Sequence, residues 1–139
     1  MNCVPTVLEY CANYLNNSQL QDYLSYRTSF ELIYYEVFNR GLDIYGVSYN
    51  QMEKYYSECG FTCQKISTDE INSFIDEKYP IVGVVKNSSD NNTAHEVFIV
   101  GYTDENKIIV VNPSKGEYQE YSLDKFYSNG CYVLTKYKK

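Results

Sequence analysis

The sequence has little of what metal-binding, nucleic-acid-binding and membrane proteins need. It contains no tryptophan and a single histidine, His95, and its five cysteines include no C-x-x-C pair, which excludes a usual zinc site. Only 12 Lys and Arg stand against 18 Asp and Glu, which leaves no electrostatic footprint for nucleic acid or an anionic membrane. No run approaches the roughly 20 apolar residues of a membrane span, and the N-terminus lacks the charged and apolar regions of a signal peptide. We therefore expect a cytoplasmic protein that needs no cofactor or metal.

The chain is nevertheless rich enough in apolar residues for one core. It has 139 residues, of which 44% are hydrophobic and 17% aromatic, and single domains most often have about 100–150 residues. We find no internal repeat, no linker and no sign of a second domain. Residues 1–139 are therefore expected to form a single domain.

Hydrophobic spacing predicts helices in the first half of the chain. The first helix opens at Cys3, has Pro5 in its first turn and ends at Asn16 to Ser18. Further helices are predicted over 29–40, from a capping box at 48–51 to Gly60, and from Thr68 through Ile75.

The hydrophobic period changes after Pro80. Residues 81–85, 95–102, 107–111, 117–121 and 131–136 read as strands separated by polar turns. Helices followed by a meandering antiparallel sheet indicate an α+β fold, with the helices packed on a C-terminal sheet.

Cys3 is the residue whose position most favours chemistry. At a helix N-terminus, unpaired backbone N–H groups and the helix dipole favour the thiolate, which is the nucleophilic form of cysteine. Cys11, by contrast, lies on the apolar face of the same helix and is expected to be a buried small hydrophobe. Cys59 and Cys63 lie four residues apart, and a disulfide between them under oxidising conditions stays open.

The predicted hairpin between the second and third strands brings two polar side chains together. If residues 103–106 form a four-residue turn, His95 lies opposite Ser114 and diagonal to Asn112 on the same face. Diagonal neighbours are roughly 7–8 Å apart, within reach of long side chains. An imidazole oriented by an amide is the base half of a thiol catalytic triad.

Ordered segments of the chain resemble the papain-like peptidases that process double-glycine leaders of bacteriocins. The similar segments are CVPTVL at the N-terminus, GVS with the following helix to GF at 60–61, YPIV at 79–82, AHEVFIVGY at 94–102 and VNP at 111–113. The resemblance spans nearly the whole chain and implies a papain-like fold with the nucleophile at the start of the first helix.

Carried over residue by residue, the resemblance implies a catalytic Cys3, His95 and Asn112. Cys3 is the nucleophile, His95 the general base and acid, and Asn112 the group that orients His95. The Cys3 backbone N–H supplies one oxyanion donor. The family's oxyanion glutamine has no counterpart before Cys3, so Asn2, Gln19 and Gln21 are the candidates for a second donor.

The implied reaction begins with an acyl-enzyme on the cysteine, and its second substrate stays open. Our leading interpretation is an amide-forming acyltransferase, similar to stand-alone relatives of the fold in butirosin-type and closthioamide-type biosynthesis. Its expected partners are an acyl thioester donor, such as a carrier protein with a phosphopantetheine arm, and a small amine acceptor. A papain-like peptidase or hydrolase is the alternative, and a non-catalytic binding module of the same fold is the third.

Overall fold

The computed structural model describes residues 3–16, 49–86, 94–113 and 116–138. The helix predicted over 29–40 lies outside these ranges. Within them the helices are α1 (Cys3–Asn16), α2 (Tyr49–Glu58) and α3 (Ile71–Asp76), with short 3₁₀ turns at Thr68–Glu70 and Leu123–Lys125. The strands are β1 (Phe61–Ile66), β2 (Ile81–Lys86), β3 (Ala94–Tyr102), β4 (Ile108–Asn112), β5 (Glu117–Tyr121) and β6 (Phe126–Tyr137).

The strands in the described ranges form one antiparallel sheet in the order β1-β6-β2-β3-β4-β5. The fold is consistent with the α+β class. β1 and β5 are the edges, and β2, with the run Ile-Val-Gly-Val-Val, is buried along almost its whole length. This run is typical of a strand covered on both faces.

Each face of the sheet carries its own core, because successive side chains of a strand point to opposite faces. On one face α1 and α2 pack through Leu8, Cys11 and Tyr56 against Val82 and Tyr132. On the other face α3 packs through Ile71 on a second core, with Phe74 and Ile75 partly buried against it. Cys11 is fully buried, which confirms its prediction as a core residue.

One strand of the sheet was not predicted, and the start of another was wrong. No local pattern indicates β1, which leaves only its end residues, Phe61 and Ile66, buried. The hydrophobic spacing predicted that the last strand starts at 131, whereas β6 begins at Phe126. The stretch Ser128-Asn129-Gly130 reads as a turn, but it lies within β6, which pairs with β2 from Val85 opposite Phe126.

The hairpin of β3 and β4 reaches the expected register by a different route. β4 begins at Ile108, so the connection covers residues 103–107 and is one residue longer than predicted. A bulge between Ile99 and Gly101 absorbs the extra residue. Beyond the bulge Phe98 lies opposite Val111 and Ile99 opposite Val110, which is the register that makes His95 and Asn112 diagonal neighbours.

Candidate active site

One end of the sheet collects polar side chains. Here β2 ends at Lys86, β3 begins at Ala94, β4 ends at Asn112 and β5 begins at Glu117. The His95 and Asn112 side chains, both partly buried, meet at this end, with His95 Nε2 2.8 Å from Asn112 Oδ1.

This contact fixes which nitrogen of the imidazole carries the proton. An amide oxygen can only accept a hydrogen bond, so Nε2–H of His95 is the donor to Asn112 Oδ1. In the neutral ring Nδ1 is then the unprotonated nitrogen, with its lone pair available as a base. Asn112 therefore selects the tautomer of His95, which is the role of the third member in a thiol triad.

Asn112 is itself held by a residue that sequence reasoning missed. Its Nδ2 donates to Gln119 Oε1 over 3.1 Å, and the Tyr121 hydroxyl donates to the same oxygen over 2.5 Å. Gln119 lies opposite Val110 in the pairing of β4 and β5, so it is the diagonal neighbour of Asn112. The alternation of predicted strand 117–121 was the signal that places Gln119 and Tyr121 on one face.

Cys3 stands at the first residue of α1. Its side chain lies outside the described part of the structure, and so do the oxyanion candidates Asn2, Gln19 and Gln21. Its backbone begins a helix of 14 residues, so its N–H belongs to the first turn, where amides have no partner within the helix. An N–H in that position is suited to receive an oxyanion.

A buried carboxyl group lies immediately after His95, on the opposite face of β3. Glu96 is 2% exposed, and its Oε1 accepts a hydrogen bond from the Tyr56 hydroxyl of α2. Burial raises the pKa of Tyr56 well above its ordinary value, and the charge of Glu96 raises it further. This hydrogen bond ties α2 to the strand that carries His95.

The described thiols are poor nucleophiles. Cys11, Cys59, Cys63 and Cys131 are all free, so Cys59 and Cys63 are not joined in this structure. Burial raises the pKa of Cys59 and of Cys131 to about 12. Burial, with a smaller contribution from Glu96, also raises the pKa of Cys11 well above its ordinary value. The pKa of the half-buried Cys63 is raised by burial and by the nearby charge of Glu53.

The described residues offer neither a group of metal ligands nor a membrane-spanning helix. In the ranges given above, no three His, Cys, Asp or Glu side chains are grouped as ligands for a metal ion. In the same ranges, every helix is too short or too polar to cross a membrane.

Comparison with known proteins gives one match over the whole chain. The model of the Peptidase_C39 like family matches residues 1–139. No curated protein matches the chain. Among solved structures, active wild-type interpain A, a cysteine protease of Prevotella intermedia, is similar with a TM-score of 0.39 and 16% identity. That match covers 55% of this chain and 39% of the interpain chain, so it spans well under half of that protease.

Proposed function

We propose that this chain, which belongs to the Peptidase_C39 like family, catalyses acyl transfer through a thiolate at Cys3, with His95 as base and Asn112 as its orienting group. The observation that carries the proposal is the 2.8 Å contact between His95 Nε2 and Asn112 Oδ1. It leaves Nδ1 of a neutral imidazole as a base, and a thiol needs such a base at neutral pH.

The course of α1 relative to β3 supports Cys3 as the partner of this base. Tyr10 packs on Phe98 with ring centroids 5.9 Å apart, and Tyr14, one turn later, lines a groove with Val100. The two elements therefore run in the same direction. Cys3 lies two helical turns before Tyr10, a distance of about 10 Å along the helix. His95 lies three residues before Phe98, which is also about 10 Å along the strand. The N-terminus of α1 and the start of β3 are thus expected at the same level.

The thiolate has to approach around the end of β3 rather than across the sheet. α1 packs on the face that carries Glu96, whereas His95 shares the other face with Val97. His95 is the second residue of β3, so only Ala94 separates it from the end of the strand. We therefore propose that the Cys3 sulfur reaches His95 Nδ1 past this end of the strand.

The proposed reaction has two steps. His95 Nδ1 takes the thiol proton of Cys3, and the thiolate sulfur forms a bond to the acyl carbon. The tetrahedral oxyanion, held by the Cys3 N–H, then expels the leaving thiol or amine, which takes the proton from the imidazolium. In the second step His95 Nδ1 deprotonates an amine or a water, whose attack on the thioester releases the Cys3 thiol.

We propose an amine as the acceptor, which makes the product an amide. The formal net charge of −6 attracts cationic amines. The donor proposed with it is an acyl thioester, for which a carrier protein with a phosphopantetheine arm is the expected source. Water as the acceptor gives a peptidase, and the match to a family named for peptidases favours this second candidate.

The acyl-enzyme provides the first test. After incubation with a short acyl thioester, intact-protein mass spectrometry is expected to show one acyl group, located on Cys3 by peptide mapping. Addition of a small diamine is expected to release it as an amide faster than buffer alone releases it as an acid. Release at the buffer rate establishes hydrolysis instead, and no adduct on Cys3 contradicts both candidates. Cys63→Ser, which removes a half-buried thiol, is the matched control and is expected to acylate normally.

Alkylation provides the second test and separates an enzyme from a binding module. A thiol of pKa about 12, such as Cys59, is ionised to only about one part in 10⁵ at pH 7. An activated Cys3 is expected to react with iodoacetamide at about pH 6–7 at least ~100-fold faster than any other thiol of the folded chain. The measurement is peptide mapping of a time course, with the urea-unfolded chain as reference. A Cys3 rate equal to that of the unfolded reference would indicate a fold without catalytic function.

A further inference from the structure

We infer that Gln119 and Tyr121 are positioning residues that set the direction of the Asn112 amide and through it the tautomer of His95. The inference deepens the proposed function and rests on the assignment of His95 as its base. Among the described residues, Gln119 reaches His95 through Asn112, and Tyr121 reaches it through Gln119. The relay runs across three adjacent strands, from Tyr121 and Gln119 on β5 through Asn112 on β4 to His95 on β3.

The argument begins with the two ends of the Asn112 amide. Its Oδ1 faces His95 Nε2, and its Nδ2 faces Gln119 Oε1. If this amide alone turned by half a rotation, Oδ1 of Asn112 would face Oε1 of Gln119, and two acceptors would meet without a proton. A partly buried pair of that kind is unfavourable, because neither oxygen then has a donor. Gln119 therefore prevents Asn112 from turning alone.

Tyr121 favours the observed direction of both amides. With both reversed, Gln119 Nε2 would take the place of Oε1, 2.5 Å from the Tyr121 oxygen. That separation suits an O–H···O hydrogen bond but is shorter than the about 2.7–3.2 Å of an N–H···O bond. The reversed pair would therefore have to move away from Tyr121, whereas the observed pair does not.

The Tyr121 ring is fixed independently of its hydroxyl. It packs edge-on against Phe126 with centroids 6.3 Å apart, and Lys125 Nζ lies 4.7 Å above the ring. Tyr121→Phe retains both contacts and removes only the hydroxyl. This variant therefore separates the directing hydrogen bond from the packing of the strand.

The test uses the single histidine of the chain, whose imidazole nitrogens are assigned without further labelling. Long-range ¹⁵N–¹H correlation spectra of the neutral ring are expected to show the proton on Nε2 in the wild-type chain. Gln119→Met, of similar length but with no acceptor, is expected to give a mixture of both tautomers and a loss of about 10-fold or more in kcat/KM. Tyr121→Phe is expected to shift the mixture in the same direction. Gln119→Glu retains an acceptor-only group and is expected to restore the Nε2–H form.

Gln64→Met is the matched control, a glutamine on the opposite edge strand, and it is expected to leave the spectrum unchanged. Folding of every variant is checked by its thermal transition, and Tyr121→Phe serves if Gln119→Met does not fold. A wild-type ring protonated on Nδ1, or a folded Gln119→Met or Tyr121→Phe with the wild-type tautomer, overturns the inference. A wild type with the Nε2–H form but no acyl adduct on Cys3 overturns the proposed function and leaves the relay intact.

Discussion

Cys3→Ala and His95→Ala are each expected to lower turnover by at least about 10³-fold, and the double variant is expected to lose little more. Alanine at position 3 removes the nucleophile, so the covalent step cannot occur. Alanine at position 95 leaves the thiol without the base that the Asn112 contact prepares. Both side chains serve the same proton transfer, so either single substitution already abolishes it. Substituting the second residue therefore causes little further loss of turnover. The measurement is kcat with whichever thioester or peptide acylates the wild type.

The control for this experiment lies elsewhere on the sheet. Cys63→Ala removes a thiol from edge strand β1 and is expected to retain full turnover. All variants are compared at equal folded fraction, judged by thermal unfolding. Losses of the two single variants that multiply in the double variant would show that Cys3 and His95 do not act as a unit, and would contradict the proposed mechanism.

The fold was predictable where one side of an element is buried and the other is not. The apolar spacing of α1 follows from burial of one face of the helix, and the apolar positions of β3 and β4 follow from their packing in the sheet. β1 escaped prediction because its inner residues, from Thr62 to Lys65, are mostly exposed and it is held by pairing with β6. Such a strand is specified by its partner, and a partner distant in sequence leaves no local pattern.

The candidate site was predictable as a pair but not as a network. A four-residue turn was the wrong length for the hairpin, and the bulge at Val100 corrected the register by one residue. Either deviation alone would place His95 and Asn112 on opposite faces, because a slip of one residue reverses every side chain. Predicting the contact of Gln119 with Asn112 requires a second register, that of β4 and β5, which the sequence pattern does not define. Each added strand multiplies the number of alternative pairings.

Gly60→Ala is expected to cost about 3 kcal/mol or more of folding free energy, from backbone strain and overpacking together. Gly60 follows α2 with φ at +97°, a conformation that side chains rarely adopt, and a Cβ built there would lie 2.3 Å from the Lys138 backbone oxygen. The Lys138 N–H also donates to the Gly60 oxygen over 2.8 Å, and this hydrogen bond holds the two backbone segments at this separation. Alanine must push the end of β6 away from β1. The measurement is urea unfolding followed by circular dichroism.

Gly116→Ala is the matched control for this effect. Gly116 also has a positive φ, +66°, but a Cβ there would meet nothing within 4 Å. Its substitution carries the conformational cost alone, about 1 kcal/mol. The difference between the two variants therefore measures the close approach of residues 60 and 138, which closes edge strand β1 onto the sheet. Equal losses in both variants would mean that β6 moves freely at its end, and that β1 is held by its pairing from Cys63 onward rather than by this contact.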